Sequence, residues 1–66
     1  MKNNVKIERT LKGLTQQGLA EIIGVSRQSI VAIEQGKYVP STVLALKLAR
    51  CFDKNVDDVF ELEEND

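Results

Sequence analysis

The segment Thr15–Gly36, TQQGLAEIIGVSRQSIVAIEQG, restricts the fold more than any other part of the chain. Apolar residues recur at three- and four-residue spacing on both sides of Gly24-Val25-Ser26: Leu19, Ile22 and Ile23 before it, Ile30 and Ile33 after it. Such spacing lines one face of each of two short helices. Gly24 ends the first helix, because a tight exit turn calls for a residue that accepts positive φ. Val25 then plugs the turn into the core. Ser26 caps the second helix, its hydroxyl taking a free backbone N–H. Ala20 supplies a small side chain where the two helices come close. The pattern is that of a helix–turn–helix.

The second helix is built to be read from outside. Its apolar set is narrow, Ile30 and Ile33 with Val31 or Ala32 at the margin, while Arg27, Gln28 and Ser29 crowd its first turn. In a helix–turn–helix that first turn points at base edges in the DNA major groove. Arg forks onto guanine O6 and N7, and Gln onto adenine N6 and N7, each worth about 1–3 kcal/mol of discrimination. The plainer alternative is a helical hairpin with a solvated polar tip.

Sixty-six residues suffice for one domain, and a chain of this size buries only about 60% of its unfolded surface. No purely apolar run exceeds four residues, so no membrane span, signal peptide or lipidation signal is expected, and the location implied is cytoplasmic. One cysteine and no histidine exclude an internal disulfide, and in practice a zinc site or a Ser/His or Cys/His nucleophile pair. No cofactor, metal or enzyme activity is expected. The net charge of −1 argues against a general polyanion binder, but it hides an asymmetry. Residues 1–37 carry six Lys/Arg against three Asp/Glu, a balance of +3; residues 38–66 carry three against seven, a balance of −4. The positive half contains the helix–turn–helix, which favours directed DNA binding over non-specific coating.

In chain order, Asn4 is placed to cap a first helix from Val5 to about Lys12, with Val5, Ile7 and Leu11 supplying part of its apolar stripe and Gly13 stopping it. Leu14 should be buried. Thr15 caps helix 2, from Gln16 to about Ile23. Gly18 lies inside it and reads as a weakness of roughly 0.5–1 kcal/mol relative to alanine, with a close backbone approach as the alternative. Helix 3 runs from Arg27 to about Gln35 and ends at Gly36, and Lys37–Pro40 forms a connecting loop. Ser41 caps helix 4, Thr42 to about Phe52. Leu44, Ala45, Leu48, Cys51 and Phe52 share one broad face of it, with Val43 and Leu46 on the other side near Lys47 and Arg50. A helix apolar on two sides should be contacted on two sides. Asn55 caps a short fifth helix, Val56–Phe60, with Asp57 and Asp58 in its first turn, where negative charge suits the helix dipole. Glu63–Asp66 is expected to fray. Cys51 reads as a small core residue, with a redox sensor as the alternative.

Taken together, Gly13-Leu14-Thr15-Gln16, Leu19-Ala20, Ile23-Gly24-Val25-Ser26, Ile30 with Ile33-Glu34, Gly36-Lys37, Pro40-Ser41, Ala45 with Leu48-Ala49, and the Val56…Phe60 ending resemble the Cro/CI-type, or Xre-like, helix-turn-helix family. The resemblance covers about residues 4–60, and the chain is similar to the compact bacterial and phage repressors that consist of little more than this domain. It implies that Gln16 contacts a phosphate and braces the recognition helix through Gln28. It implies that Arg27, Gln28 and Ser29 touch bases or adjacent phosphates. Val31 and Ala32 match positions that reach bases with polar side chains in some relatives; here they can meet only a thymine methyl or pack inside. Lys37 and Tyr38 match backbone-contacting loop positions, and Asn4 or Lys6 would act so from helix 1. Arg9 and Glu34 match a structural ion pair. A small strand from residues 1–3 pairing with 61–63 is a further feature of some relatives. Gly18 departs from the family's habit of a good helix former.

These readings give an all-α fold of five short helices, one domain over residues 1–66, that binds duplex DNA sequence-specifically as a homodimer and regulates transcription, most simply by repression. Pairing is inferred because one short recognition helix reads too few base pairs for useful specificity. The candidate interface is Leu46, Val56, Val59, Phe60 and Leu62. No small-molecule ligand is expected. The rival reading, motivated by the acidic tail, is an antitoxin-like or anti-repressor module that engages a protein and for which DNA is secondary.

Overall fold

A computed structural model describes residues 1–66. Five helices follow one another: α1 (Val5–Leu11), α2 (Gln16–Ile23), α3 (Arg27–Glu34), α4 (Thr42–Phe52) and α5 (Val56–Val59). Two short strands, β1 (Lys2–Asn3) and β2 (Phe60–Glu61), join the two ends of the chain. They pair antiparallel, with Lys2 opposite Glu61 and Asn3 opposite Phe60. The fifth helix thus stops one residue earlier than its apolar pattern suggests. Phe60 takes an extended conformation (φ −122°, ψ 142°), and its cap N–H closes on the Val56 carbonyl.

The helix boundaries follow from local chemistry. The hydroxyls of Thr15, Ser26 and Ser41 accept from the backbone N–H of Gly18, Ser29 and Leu44, at 2.9, 3.2 and 3.2 Å. Each bond satisfies one of the free donors at a helix start. Gly24 sits at φ +87°, and the N–H groups of Gly24 and Val25 both return to the Ala20 carbonyl. That double closure turns the chain sharply out of α2 and straight into the Ser26 cap. At α1 the cap differs from expectation. The Asn4 side chain makes no cap bond; Asn3 Oδ1 accepts from Val5 N at 3.1 Å, while Asn4 Nδ2 donates to the Asp58 carbonyl. At α5 the Asp58 carboxylate accepts from the Asn55 N–H at 3.3 Å.

Val5, Leu19, Ala20, Ile23, Ile30, Ile33, Leu44, Leu48, Ala49, Phe52, Val59 and Phe60 form one continuous core. α4 crosses its centre through Leu44, Leu48, Ala49 and Phe52, and α2 and α3 pack on each other most extensively. Several expectations need correction. Ile7 and Leu11 are exposed and contribute nothing to this core; α1 buries only Val5, because its outer turns have no element above them. Leu14 is half-buried rather than enclosed. Val59 and Phe60, assigned above to a dimer contact, are 1% and 8% exposed and pack into the protomer's own core. At the C-terminal end, expected to fray, the carboxylates of Glu63 and Asp66 both meet the Met1 amine, at 3.0 and 3.1 Å. Gly18 has a steric reason. A Cβ there would lie 3.1 Å from Thr15 Oγ1, the atom that caps α2.

Candidate nucleic-acid interface

The caps at Thr15 and Ser26 bring the starts of α2 and α3 to one place. There Arg27 Nη2 donates to Gln16 Oε1 at 3.1 Å. Gln16 Nε2 in turn donates to Glu34 Oε1 at 3.2 Å. Glu34 also receives Arg9 in a two-pronged contact, Nε to Oε2 at 2.7 Å and Nη2 to Oε1 at 3.3 Å. Arg9 Nη1 closes the network on the Leu14 carbonyl at 2.8 Å. The result is a chain of polar contacts from α1 through α2 to both ends of α3. The Glu34 side chain is only 4% exposed and that of Arg9 13%. A forked guanidinium–carboxylate pair of this kind fixes orientation as well as distance. No buried side-chain nitrogen or oxygen in the protein lacks a partner.

This geometry corrects one detail. Gln16 braces the recognition helix through Arg27, one position before Gln28. Gln28 makes no side-chain hydrogen bond within the chain and stands exposed. The physical reason is the direction of the first helical turn, which turns residue 27 back toward α2 and residue 28 outward. Ser29 is half-buried, its hydroxyl 3.0 Å from that of Ser26. Val31 and Ala32 are also half-buried, so the outward surface of α3 has its polar groups in its first turn.

At the other end of α3, Gly36 takes φ +74° and the Lys37 N–H returns to the Ala32 carbonyl at 2.9 Å. Lys37 and Tyr38 therefore emerge directly beside the helix, both exposed. Arg27, Lys37, Lys6 and Lys12 carry no intramolecular ion pair; three of the four ion pairs lie at the chain ends and the fourth is Arg9–Glu34. Arg27 and Lys37, without ionic partners at the two ends of α3, and the unengaged amide of Gln28 suit a phosphate-lined groove. One contributor was hidden from sequence reasoning. Asn3 Nδ2 donates to the Ile33 carbonyl at 2.9 Å, anchoring the last turn of α3 to β1. Nothing in a polar four-residue terminus signals that contact.

A domain in which a capped, tightly linked helix pair presents its second helix in this way is a helix-turn-helix DNA-binding domain. The family model described as "Helix-turn-helix" matches residues 5–59, and the chain belongs to this Xre-like helix-turn-helix family. It is similar to proteins named as uncharacterised HTH-type transcriptional regulators. One is MJ0272 of Methanocaldococcus jannaschii, 50% identical over 66 residues that cover 100% of both chains. Another is YgzD of Bacillus subtilis, 52% identical over 64 residues and 97% of each chain. The fold is similar to that of the restriction-modification controller protein C.AhdI from Aeromonas hydrophila, with a TM-score of 0.78 and 35% identity over 86% of each chain. The chain is a DNA-binding transcriptional regulator of that family. No helix is long and apolar enough to cross a membrane.

Proposed function

We propose that the protein is a repressor that binds a pseudo-palindromic operator as a homodimer and blocks transcription by occupancy. The observation that carries this reading is the first turn of α3, where Gln28 is exposed and uncommitted beside an Arg27 steadied by Gln16. In this reading Arg27 and Gln28 read bases. Ser29 and Gln16 contact neighbouring phosphates; Gln16 keeps one amide hydrogen for this, since its other donor and its oxygen are engaged. Val31 meets at most a thymine methyl, and Lys37 and Tyr38 grip the backbone beyond the helix. Arg9 and Glu34 hold the frame.

For pairing, Leu46, Val56 and Leu62 border a groove that also includes Val39, Pro40 and the edge of Phe60. Leu46 and Leu62 are exposed and Val56 half-buried. Val59 has no part in it, and Phe60 lines it only with the small part of its side chain left exposed. For half-sites one helical turn apart, a two-fold contact along this groove has to set the two copies of α3 about 34–36 Å apart.

Selection of binders from a random duplex library, near physiological salt, tests the proposal. An enriched inverted repeat with half-sites about one turn apart is the expected result. Absence of any enriched sequence refutes specific DNA reading. An enriched single half-site refutes pairing. Leu46→Asp with Leu62→Asp should leave the fold intact and abolish the dimer in sedimentation; a persisting dimer refutes the groove.

A further inference from the structure

α4 has a second face that neither the core nor the proposed DNA surface uses. Val43, Leu46, Lys47 and Arg50 recur at i, i+3, i+4 and i+7, a single stripe of the helix. Val43 is 64% exposed and Leu46 53%. Ile22, at the end of α2 and 60% exposed, stands across Lys47 and Arg50 from them: one shallow depression is lined by Ile22, Lys47, Arg50 and Cys51, and the next by Val43, Leu46, Lys47 and Arg50. Three large aliphatic side chains thus surround two cations. Neither cation makes an ion pair, and no carboxylate lines either depression. Carboxylates lie only at the C-terminal end of the stripe: Asp57 lines a depression with Leu46, Arg50 and Lys54, and Asp53 and Asp58 line another with Arg50 and Lys54. Arg50 lies in the last turn of α4, where the helix dipole favours a cation. The dipole does not account for Lys47 in mid-helix, nor for the uncovered aliphatic side chains.

We propose that this stripe docks an acidic amphipathic helix of a partner protein. Aliphatic residues of the partner would pack over Val43, Leu46 and Ile22, and its flanking carboxylates would engage Lys47 and Arg50. Charge complementarity selects this occupant. A second copy meeting the same face across a two-fold axis would bring Lys47 against Lys47, because Asp53, Asp57 and Asp58 are confined to the Arg50 end and neither depression beside Lys47 holds a carboxylate. DNA would satisfy the cations but leave three aliphatic side chains against phosphates. The face lies outside the groove proposed for pairing except at Leu46, which borders both, so a partner helix and a second copy compete for that one side chain.

The test is amide chemical-shift mapping on the full chain with two synthetic helical peptides. Both carry leucines at i, i+3, i+4 and i+7; one is flanked by glutamates and the other by lysines. The acidic peptide should shift the amides of Ile22, Val43, Leu46, Lys47 and Arg50, and bind less tightly as salt is raised. Lys47→Glu with Arg50→Glu should weaken it about tenfold or more, with the circular dichroism and operator affinity of the parent. Val43→Asn should weaken it while leaving the charges in place. Equal binding of the basic peptide, shifts confined to another face, or no shift at all would overturn the proposal. A DNA duplex that moves the Lys47 and Arg50 amides would overturn it too, by making this a nucleic-acid face.

Discussion

Replacing Glu34 by alanine should be among the most damaging single changes to this protein. The carboxylate accepts from Arg9 Nε at 2.7 Å, from Arg9 Nη2 at 3.3 Å and from Gln16 Nε2 at 3.2 Å. Its removal leaves a guanidinium 13% exposed with only the Leu14 carbonyl as a partner. An uncompensated buried charge costs about 3–5 kcal/mol. A domain of this length holds roughly 3–10 kcal/mol in all. Glu34→Ala should therefore lower the melting temperature by at least about 12 °C, at roughly 4–8 °C per kcal/mol for this size. Urea titration followed by far-ultraviolet circular dichroism measures the loss directly. Arg9→Met with Glu34→Leu removes both charges at similar volume and should recover most of the loss, because the desolvation of both ions disappears with them. A loss below about 1 kcal/mol for Glu34→Ala would show that the pair behaves like an exposed one. A double variant as unstable as the single would show that the cost comes from lost packing. Either result refutes an uncompensated buried charge as the source of the damage.

Three further outcomes are expected. Gln28→Ala should relax preference at one base position by about 1–3 kcal/mol, read by competition between single-base operator variants; an equal loss on every sequence would exclude base reading by Gln28. Gly18→Ala should change stability by less than about 0.5 kcal/mol, since the helix-propensity gain of about 1 kcal/mol is offset by pressure on the Thr15 cap. In a Thr15→Ala background the same change should stabilise by about 0.5–1 kcal/mol, and failure to do so in urea titration would remove the steric explanation. The contact between the chain ends should depend on pH at both extremes. Hydrogen bonding to Glu63 and then Asp66 raises the Met1 amine above 8.0, so its contribution is full below that value and is lost as pH rises through the raised one. The Glu63 N–H, followed by the Met1 amine, lowers Asp66 below 3.8, so its contribution is full above that value and is lost as pH falls through the lowered one. The side-chain proton shifts of Asp66 should therefore move only below 3.8, and an Asp66 titration at or above 3.8 would contradict the contact.

The helix–turn–helix was legible because its determinants are local. Gly24, Ser26, Thr15 and Ser41 each act within four residues, so their spacing is enough to set three helix starts and one turn. The end of α5 was less legible, since Phe60 leaves the helix to pair with Asn3 at the opposite end of the chain. The same long-range pairing buries Val59 and Phe60, which a wheel of five residues cannot distinguish from an outward-facing pair. On α1, Ile7 and Leu11 obey helical spacing yet face solvent, because periodicity says which residues share a face and nothing about what covers it. At the candidate interface, the motif placed Gln16 near the start of α3. Whether Arg27 or Gln28 meets it depends on a rotation of one residue, about 100° on a helix, which spacing does not resolve.

The Asn3 anchor has a consequence for how the molecule is made. The contact between Gln16 and Arg27 spans 11 positions, whereas that between Asn4 and Asp58 spans 54. Closing the longer loop costs roughly 1–1.5 kcal/mol more chain entropy, so the helix pair forms first and the terminal strands close late. A refolding chain can thus assemble its recognition helix before that helix is fastened at its far end, and it acquires the finished reading geometry only once its two short strands meet.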